Sequence, residues 1–319
     1  MKIVPLAADS LGVRSMATYV ECGQTRVLID PGASLGDTRF GLPPADDEWA
    51  ALKRANDRIS AYALRADVVF VSHYHEDHFR YDPAIYRDRN VWAKDPARML
   101  GPRQSVRAGT LWKALRGHCR LDAAEGRRFE SPDAVLTASP PLGHGLEGTA
   151  LGYVVALTIA DRREGTRFVH ASDVQGPLSP VATAYLIRER PNLVYLSGPP
   201  AYLESRIGSS LIEQGIANLW RLLEATGCRV ILDHHAIRAP NYRERFGPLW
   251  ETGRVMTAAA FVGETDAPLE ASRQSLWRER RKAPVPMPMR ARRLNGGQSS
   301  SMMGRRGRHP DSAKEGTTQ

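Results

Sequence analysis

A four-residue apolar run, Val68 to Val71, leads directly into Ser72-His73-Tyr74-His75-Glu76-Asp77-His78, and few folds accommodate that juxtaposition. A short, wholly apolar run has the pattern of a fully buried strand. Three histidines and an aspartate follow within six positions. If residues 73 to 75 extend the strand, His73 and His75 lie on one face, because side chains alternate along a strand, and together they can hold one ion. Asp77 and His78 come next in the turn and point elsewhere, which predicts ligands for a second, adjacent ion. Imidazole and carboxylate donors suit zinc, with manganese or iron as alternatives.

The rest of the chain reads as alternating strands and helices. Ser15 to Cys22 and Thr25 to Ile29 flank Gly23-Gln24 as a hairpin, the second ending in Asp30-Pro31-Gly32. Asp46 to Leu64 spaces Trp49, Leu52, Ile59 and Leu64 as an amphipathic helix behind three acidic residues. Further strands are expected at 134–137, 151–160, 167–171, 193–197, 229–232 and 254–259, with a helix from Leu211 to Thr226 stopped by Gly227. Periodicity alone supports an α/β class with a sheet-on-sheet core flanked by helices.

The formal net charge of +9 belongs to one end of the chain. From Ala271 onward twelve Lys or Arg face three Asp or Glu, so residues 1–270 are neutral. Residues 271–319, rich in Pro, Gly, Ser and Arg, are expected to form a disordered basic tail beside a folded domain at 1–270. A basic tail can act as an electrostatic arm for nucleic acid, but its last thirty positions carry no aromatic residue on which bases could stack. Cys22, Cys119 and Cys228 are far apart and form no disulfide or zinc-knuckle pattern, which fits a reducing compartment. There is no signal-peptide pattern, and the apolar stretch Leu151 to Ala160 is too short to span a bilayer, so a cytoplasmic protein with no membrane partner is expected.

Three more landmarks follow the histidine run, Gly143-His144-Gly145, Ser172-Asp173 and Asp233-His234-His235, and one precedes it, Asp30 after its strand. With His73-Tyr74-His75-Glu76-Asp77-His78 as H-x-H-x-D-H, the series resembles the metallo-β-lactamase superfamily over about residues 1–262. The segments Ser172 to Pro177, Ser197 to Leu203 and Asp233 to His235 further resemble an uncharacterised branch best known from archaea and predicted to be hydrolytic; the basic tail departs from that branch.

The resemblance implies a four-layer αββα sandwich. It implies that His73, His75 and His144 hold a first ion, that Asp77, His78 and one histidine of the 234/235 pair hold a second, and that Asp173 bridges them. Adjacent residues at a strand end point in opposite directions. Only one of them is expected to bind: His234 is taken as the ligand, because a turn right after the strand that ends at Leu232 would present the first histidine, and His235 as an outer group or proton donor. Asp30 is expected to orient a ligating histidine through its ring N–H. His118 and Tyr202 read as an ordinary polar residue and a packed aromatic.

Two ions roughly 3.5 to 4 Å apart can share a hydroxide and attack a carbonyl or phosphoryl centre without a protein nucleophile. Asp77 or Asp173 would accept the proton, with His235 serving the leaving group. The chemistry expected is hydrolysis of an ester, lactone, thioester or phosphodiester bond in a small substrate. A nuclease tethered to nucleic acid by the tail is the alternative. A non-catalytic metal-binding or sensor protein is weaker, because structural zinc closes its coordination with four protein ligands, whereas three per ion plus a bridge leaves a position open for water. Histidine at position 75 also argues against the flavodiiron oxygen reductases, which share the fold but place glutamate there.

Overall fold

The computed structural model describes residues 1–282. The first sheet runs β1 (Lys2–Pro5), β2 (Thr18–Cys22), β3 (Thr25–Ile29), β4 (Val68–Val71), β5 (Asn90–Ala93) and β6 (Arg120–Ala123), in that spatial order. β7 (Arg128–Glu130) and β8 (Ala134–Ala138) open the second sheet. A small ladder of β9 (Leu142–Gly143) and β10 (Tyr153–Val154) intervenes. β11 (Leu157–Asp161), β12 (Arg167–Ser172), β13 (Leu193–Ser197), β14 (Arg229–Asp233) and β15 (Val255–Met256) then complete the order β15-β14-β13-β12-β11-β8-β7. Each sheet begins as an antiparallel meander and continues as parallel strands, β3 to β6 in one and β12 to β15 in the other.

Three apolar clusters separate four layers. Helices α1 (Asp46–Ala63) and α2 (Pro102–Leu115) cover the first sheet through Ile59, Leu111, Val69 and Val91. Val27, Phe70, Leu136, Ile159 and Tyr195 fill the space between the sheets. Helices α3 (Pro180–Glu189) and α4 (Ser209–Thr226) cover the second sheet through Leu186, Leu219, Val194 and Val230. The chain is thus an αββα sandwich. Its parallel strands point their carboxyl ends the same way, and β3, β4, β12 and β14 run straight into Asp30, His73, Asp173 and His234, the place where open α/β sheets gather their ligands.

Three expectations need correction. The strand leading to the histidines ends at Val71, so His73 and His75 sit in the loop beyond it. The stretch 151–160 is split: Tyr153–Val154 pairs with β9 before the chain crosses to the second sheet as β11. The stretch 254–259 ends its strand at Met256, where the Thr257 side chain caps a short helix, Ala258–Phe261.

The expected tail also begins too early. Helix α5 (Arg273–Lys282) belongs to the folded unit, and the boundary moves to Lys282. Its fully buried Arg273 donates to the equally buried Glu48 at 2.7 and 2.8 Å, and the same carboxylate caps α1 by accepting from the Ala45 amide at 2.8 Å. Averaging charge over the whole segment concealed this buried, paired arginine. Residues 283–319, the rest of that segment, lie outside the described residues.

Candidate metal centre

Asp30 is the hub on which the site is assembled. It is fully buried at φ 47, a left-handed conformation that a non-glycine residue adopts only when its surroundings enforce it. One carboxylate oxygen accepts from the Ser72 amide at 2.8 Å. The other accepts from Ser72 Oγ at 2.7 Å, Ser172 Oγ at 3.0 Å and His78 Nδ1 at 2.9 Å. These bonds tie the end of β3 to the ends of β4 and β12. Gly32 permits the close approach, since a Cβ there would lie 2.2 Å from the Phe79 amide nitrogen and 2.6 Å from the His78 carbonyl carbon.

The tautomers follow from these bonds. His78 gives its Nδ1 proton to Asp30. His73 gives its own to Ser72 Oγ at 2.9 Å, because that hydroxyl is already donating to Asp30. His234 gives its Nδ1 proton to Asp9 at 2.7 Å. Each ring therefore directs its Nε2 toward the cluster. His78 Nε2 and His234 Nε2 face each other at 3.4 Å, and His73 Nε2 lies 3.2 Å from His75 Nδ1. Imidazole nitrogens held this close repel unless a proton or a metal ion lies between them, and so many ring nitrogens and carboxylates turned to one point fit metal ions.

Asp173 joins the two groups. Its Oδ1 accepts from Ser197 Oγ at 2.6 Å, which fixes the carboxylate. Its Oδ2 lies 2.7 Å from His144 Nε2, 3.5 Å from His235 Nε2 and 3.9 Å from His234 Nε2. Two compact sets of possible ligands result, His73, His75, His144 and Asp173 on one side and Asp77, His78 and His234 on the other; Asp173, His234 and His235 form a further set. Every residue singled out as a ligand in the sequence converges here. His118 is exposed and stands apart from these sets.

The 234/235 pair differs from expectation. The two rings do not diverge: they stack, with centroids 4.7 Å apart and an interplanar angle of 25°. His234 adopts φ 58 at the start of a 3-10 turn, His234–Ala236, and this turns both rings toward Asp173. Asp233 holds the turn by accepting from the His234 and Ser10 amides with one oxygen and from the Ala258 amide with the other.

The electrostatics are those of a charged cluster out of water. Burial opposes ionisation of Asp173 and Asp77, but the charges of His235 and His144 on the first, and of His78, His234 and Arg238 on the second, outweigh it and hold both carboxyls below their usual range. Burial, with His144 nearby, drives His75 down to about 3. For His78 burial is outweighed by the Asp30 hydrogen bond and the charges of Asp30 and Asp77, which lift it to about 9, so an ion bound at Nε2 would take the place of a proton there.

Sequence reasoning missed Asp9 and Arg238. Arg238 Nε donates to Asp9 Oδ1 at 2.8 Å, and Nη2 reaches Asp77 at 3.3 Å and lies 3.1 and 3.2 Å from the His234 ring nitrogens. Burial pushes the Asp9 carboxyl up to about 7 against the pull of Arg238. Arg14, bidentate on Glu270 at 2.5 and 2.6 Å, stands behind this pair. Tyr202, expected first of all to pack, does pack on the core and also meets the His235 ring edge to face at 5.8 Å.

Sandwich and ligand set together agree with the resemblance to the metallo-β-lactamase superfamily that the sequence motifs carry. No family model matches the chain. It is 41% identical over 292 residues to a UPF0282 protein of Methanopyrus kandleri, covering 86% of this chain and 99% of that one. It is 40% identical over 304 residues to a UPF0282 protein of Thermococcus gammatolerans, covering 91% and 99%. The chain belongs to the UPF0282 family. Among solved structures it is similar to a metal-dependent hydrolase of the β-lactamase superfamily, with a TM-score of 0.49 and 15% identity over 80% of this chain and 94% of the other. It is also similar to Zn2+-bound PqqB from Methylobacterium extorquens, with a TM-score of 0.47 and 10% identity over 81% and 98%. Among the described residues, no helix is long and apolar enough to cross a membrane.

Proposed function

We propose that this protein is a metal-dependent hydrolase that holds two divalent ions, zinc in the first instance, and cleaves an ester, lactone, thioester or phosphodiester bond in a small substrate. His73, His75 and His144 would hold one ion, Asp77, His78 and His234 the other, with Asp173 between them. The observation that carries the reading is Asp173, whose Oδ2 lies within 2.7 to 3.9 Å of histidines from both groups while its other oxygen is fixed by Ser197. Two ions bound there would lower the pKa of a water toward neutrality and polarise the substrate oxygen.

The chain's own residues supply the remainder. Asp77 and Asp173, kept ionised by the surrounding cations and imidazoles, are placed to accept a proton. His235 faces Asp173 through Nε2 at 3.5 Å, and its buried Nδ1 has no partner among the described residues; burial holds its pKa well below the usual range, which makes it a ready donor of a proton to a leaving group once protonated. Arg238 and Asp9 keep the His234 ring oriented.

The test is a zinc-loaded, full-length preparation assayed on chromogenic esters, lactones, thioesters and phosphodiesters and on single-stranded RNA, with metal content measured on the same sample. Turnover of a small substrate at about two equivalents of zinc is expected. One equivalent at saturating zinc, or cleavage of RNA alone, overturns the reading.

A further inference from the structure

Three guanidinium groups gather on the His234 side of the site, and two of them are neutralised. Arg14 is paired with Glu270 at 2.5 Å, and Arg238 with Asp9 at 2.8 Å and Asp77 at 3.3 Å. The third, Arg39, has no carboxylate within 4.0 Å among the described residues. Among those residues its only side-chain hydrogen bond runs from Nη2 to the Arg238 carbonyl at 3.0 Å, and its buried Nε has no partner. Burial pulls this guanidinium down against the more distant charge of Glu270, with Arg14 and Arg238 adding repulsion.

The sequence builds a rigid mount for this charge. Arg39 and Leu42 exchange backbone hydrogen bonds at 2.9 and 3.0 Å across Phe40 and Gly41, at φ 55 and 71, the positive-φ pair of a tight hairpin turn. The guanidinium carbon lies 4.6 Å from the centre of the Phe40 ring and 5.0 Å from that of Tyr202. Tyr202 meets His235 at 5.8 Å, and His235 Nε2 is 3.5 Å from Asp173. Arg39 is thus one aromatic ring removed from the ligand cluster.

A half-buried cation without a counter-charge is costly unless something brings one. A guanidinium held by flat aromatic faces is suited to the planar or tetrahedral oxygens of a carboxylate or phosphoryl group. We propose that Arg39 is an anion-binding element of this site and engages an oxyanion, phosphoryl or carboxylate, carried by the substrate away from the bond that is cleaved. The inference rests on the reading of the cluster as a hydrolytic site. It narrows the small substrate to an organic anion. Phe40, 40% exposed at the turn's tip, supplies an apolar surface beside the charge.

Zinc-loaded full-length wild type, Arg39→Ala and Arg39→Lys are titrated calorimetrically with inorganic phosphate, benzoate and uncharged benzamide. Losing one charge-assisted contact weakens binding about tenfold or more. Arg39→Ala should lose that factor for phosphate or for benzoate, and the anion that loses more identifies the substrate's group. Arg39→Lys should recover part of it, and benzamide should not distinguish the proteins. Arg39→Gln, which keeps the length of the side chain, replaces the alanine variant if that one does not fold. Equal affinity of wild type and variants for both anions overturns the proposal, whatever the turnover. If the chromogenic substrates are not cleaved by any of the proteins but Arg39→Ala still loses the anion, the hydrolase reading fails and the subsite stands.

Discussion

The two halves of the ligand cluster are supported differently. On the Asp77 side, His78 and His234 each give their outer ring nitrogen to a buried carboxylate, Asp30 at 2.9 Å and Asp9 at 2.7 Å. On the other side, His73 leans on a hydroxyl, and the Nδ1 of His144 is buried without a partner. A carboxylate behind an imidazole fixes its ring and raises its basicity, so the first pair is built to grip an ion and the second to adjust to one. Arg238 places a positive charge beside the gripping half, but Asp9 and Asp77 both bond to it. The difference teaches that the two ions should bind with unequal affinity, the Asp77, His78 and His234 group filling first.

The carboxylate common to both halves provides the largest test. Asp173→Asn keeps the size but removes the charge that lies between the groups. Turnover of whichever substrate the wild type cleaves should fall about 10³-fold, about 4 kcal/mol of transition-state stabilisation, with circular dichroism unchanged. Near-normal turnover would show that the halves work independently and that Asp173 is not their link.

The gripping half is also braced from the C-terminal segment, by Glu270 on Arg14. Burial opposes ionisation of Glu270, yet the Arg14 hydrogen bonds and the charge of Arg238 prevail and lower it from 4.5 to about 2. A depressed carboxylate stabilises the fold in full above its unfolded pKa, and that stabilisation is lost as the pH falls through the folded value. Glu270→Gln should therefore lower unfolding stability by about 3 kcal/mol at pH 7. In urea melts the gap from wild type should narrow as the pH is taken from 4.5 toward 2. A gap that stays constant down to pH 3 would show that the brace is not electrostatic.

Asp9→Asn probes the asymmetry itself. Losing a carboxylate behind a ligating histidine costs about 10 to 100-fold in metal affinity. In a zinc titration the tighter of two phases should weaken by that factor while the other stays in place. Asp30→Asn should act the same way, but with a stability cost, because Asp30 also ties three strand ends together. Two phases unaltered by Asp9→Asn would remove the basis of the comparison.

What could be read in advance follows the same division. The ligands were legible because four of them stand within six residues, because Asp173 and His234 each follow the end of a strand that the apolar runs disclose, and because His144 stands between two glycines in a motif, although no apolar run marks the short strand before it. Their supports were not. Asp9 meets His234 across 225 positions and Arg238 across 229, and nothing in the local pattern around Asp9-Ser10 marks either contact. The stacking of His234 on His235 was hidden for another reason: period-two alternation holds only while the strand lasts, and at His234 the backbone has already turned to φ 58. Arg273 was lost by averaging, one buried arginine among the exposed ones of a basic segment. Patterns of type and spacing reveal elements and ligands, whereas paired buried charges are made by the tertiary fold alone.

The smallest expected effects concern the two residues set aside as ordinary, and they separate packing from chemistry. His118 is exposed at the far end of α2, and His118→Ala should leave zinc content, both titration phases and turnover unchanged. Tyr202 is a sharper case because its ring touches His235 and carries Arg39. If the ring works as a spacer between them, Tyr202→Phe retains the face and the edge, and the change should stay within about 0.5 kcal/mol, or about twofold in turnover. If instead the hydroxyl hands a proton to the leaving group, turnover should fall by about 10² or more, since that is the usual contribution of a positioned acid. His235→Asn completes the argument: a spacer role for Tyr202 assigns proton delivery to the histidine, so this variant should then show the large loss that Tyr202→Phe does not, with the basic limb of the pH profile displaced. Equal, small effects from both variants would leave the leaving group served by water and would place both residues among the walls of the site.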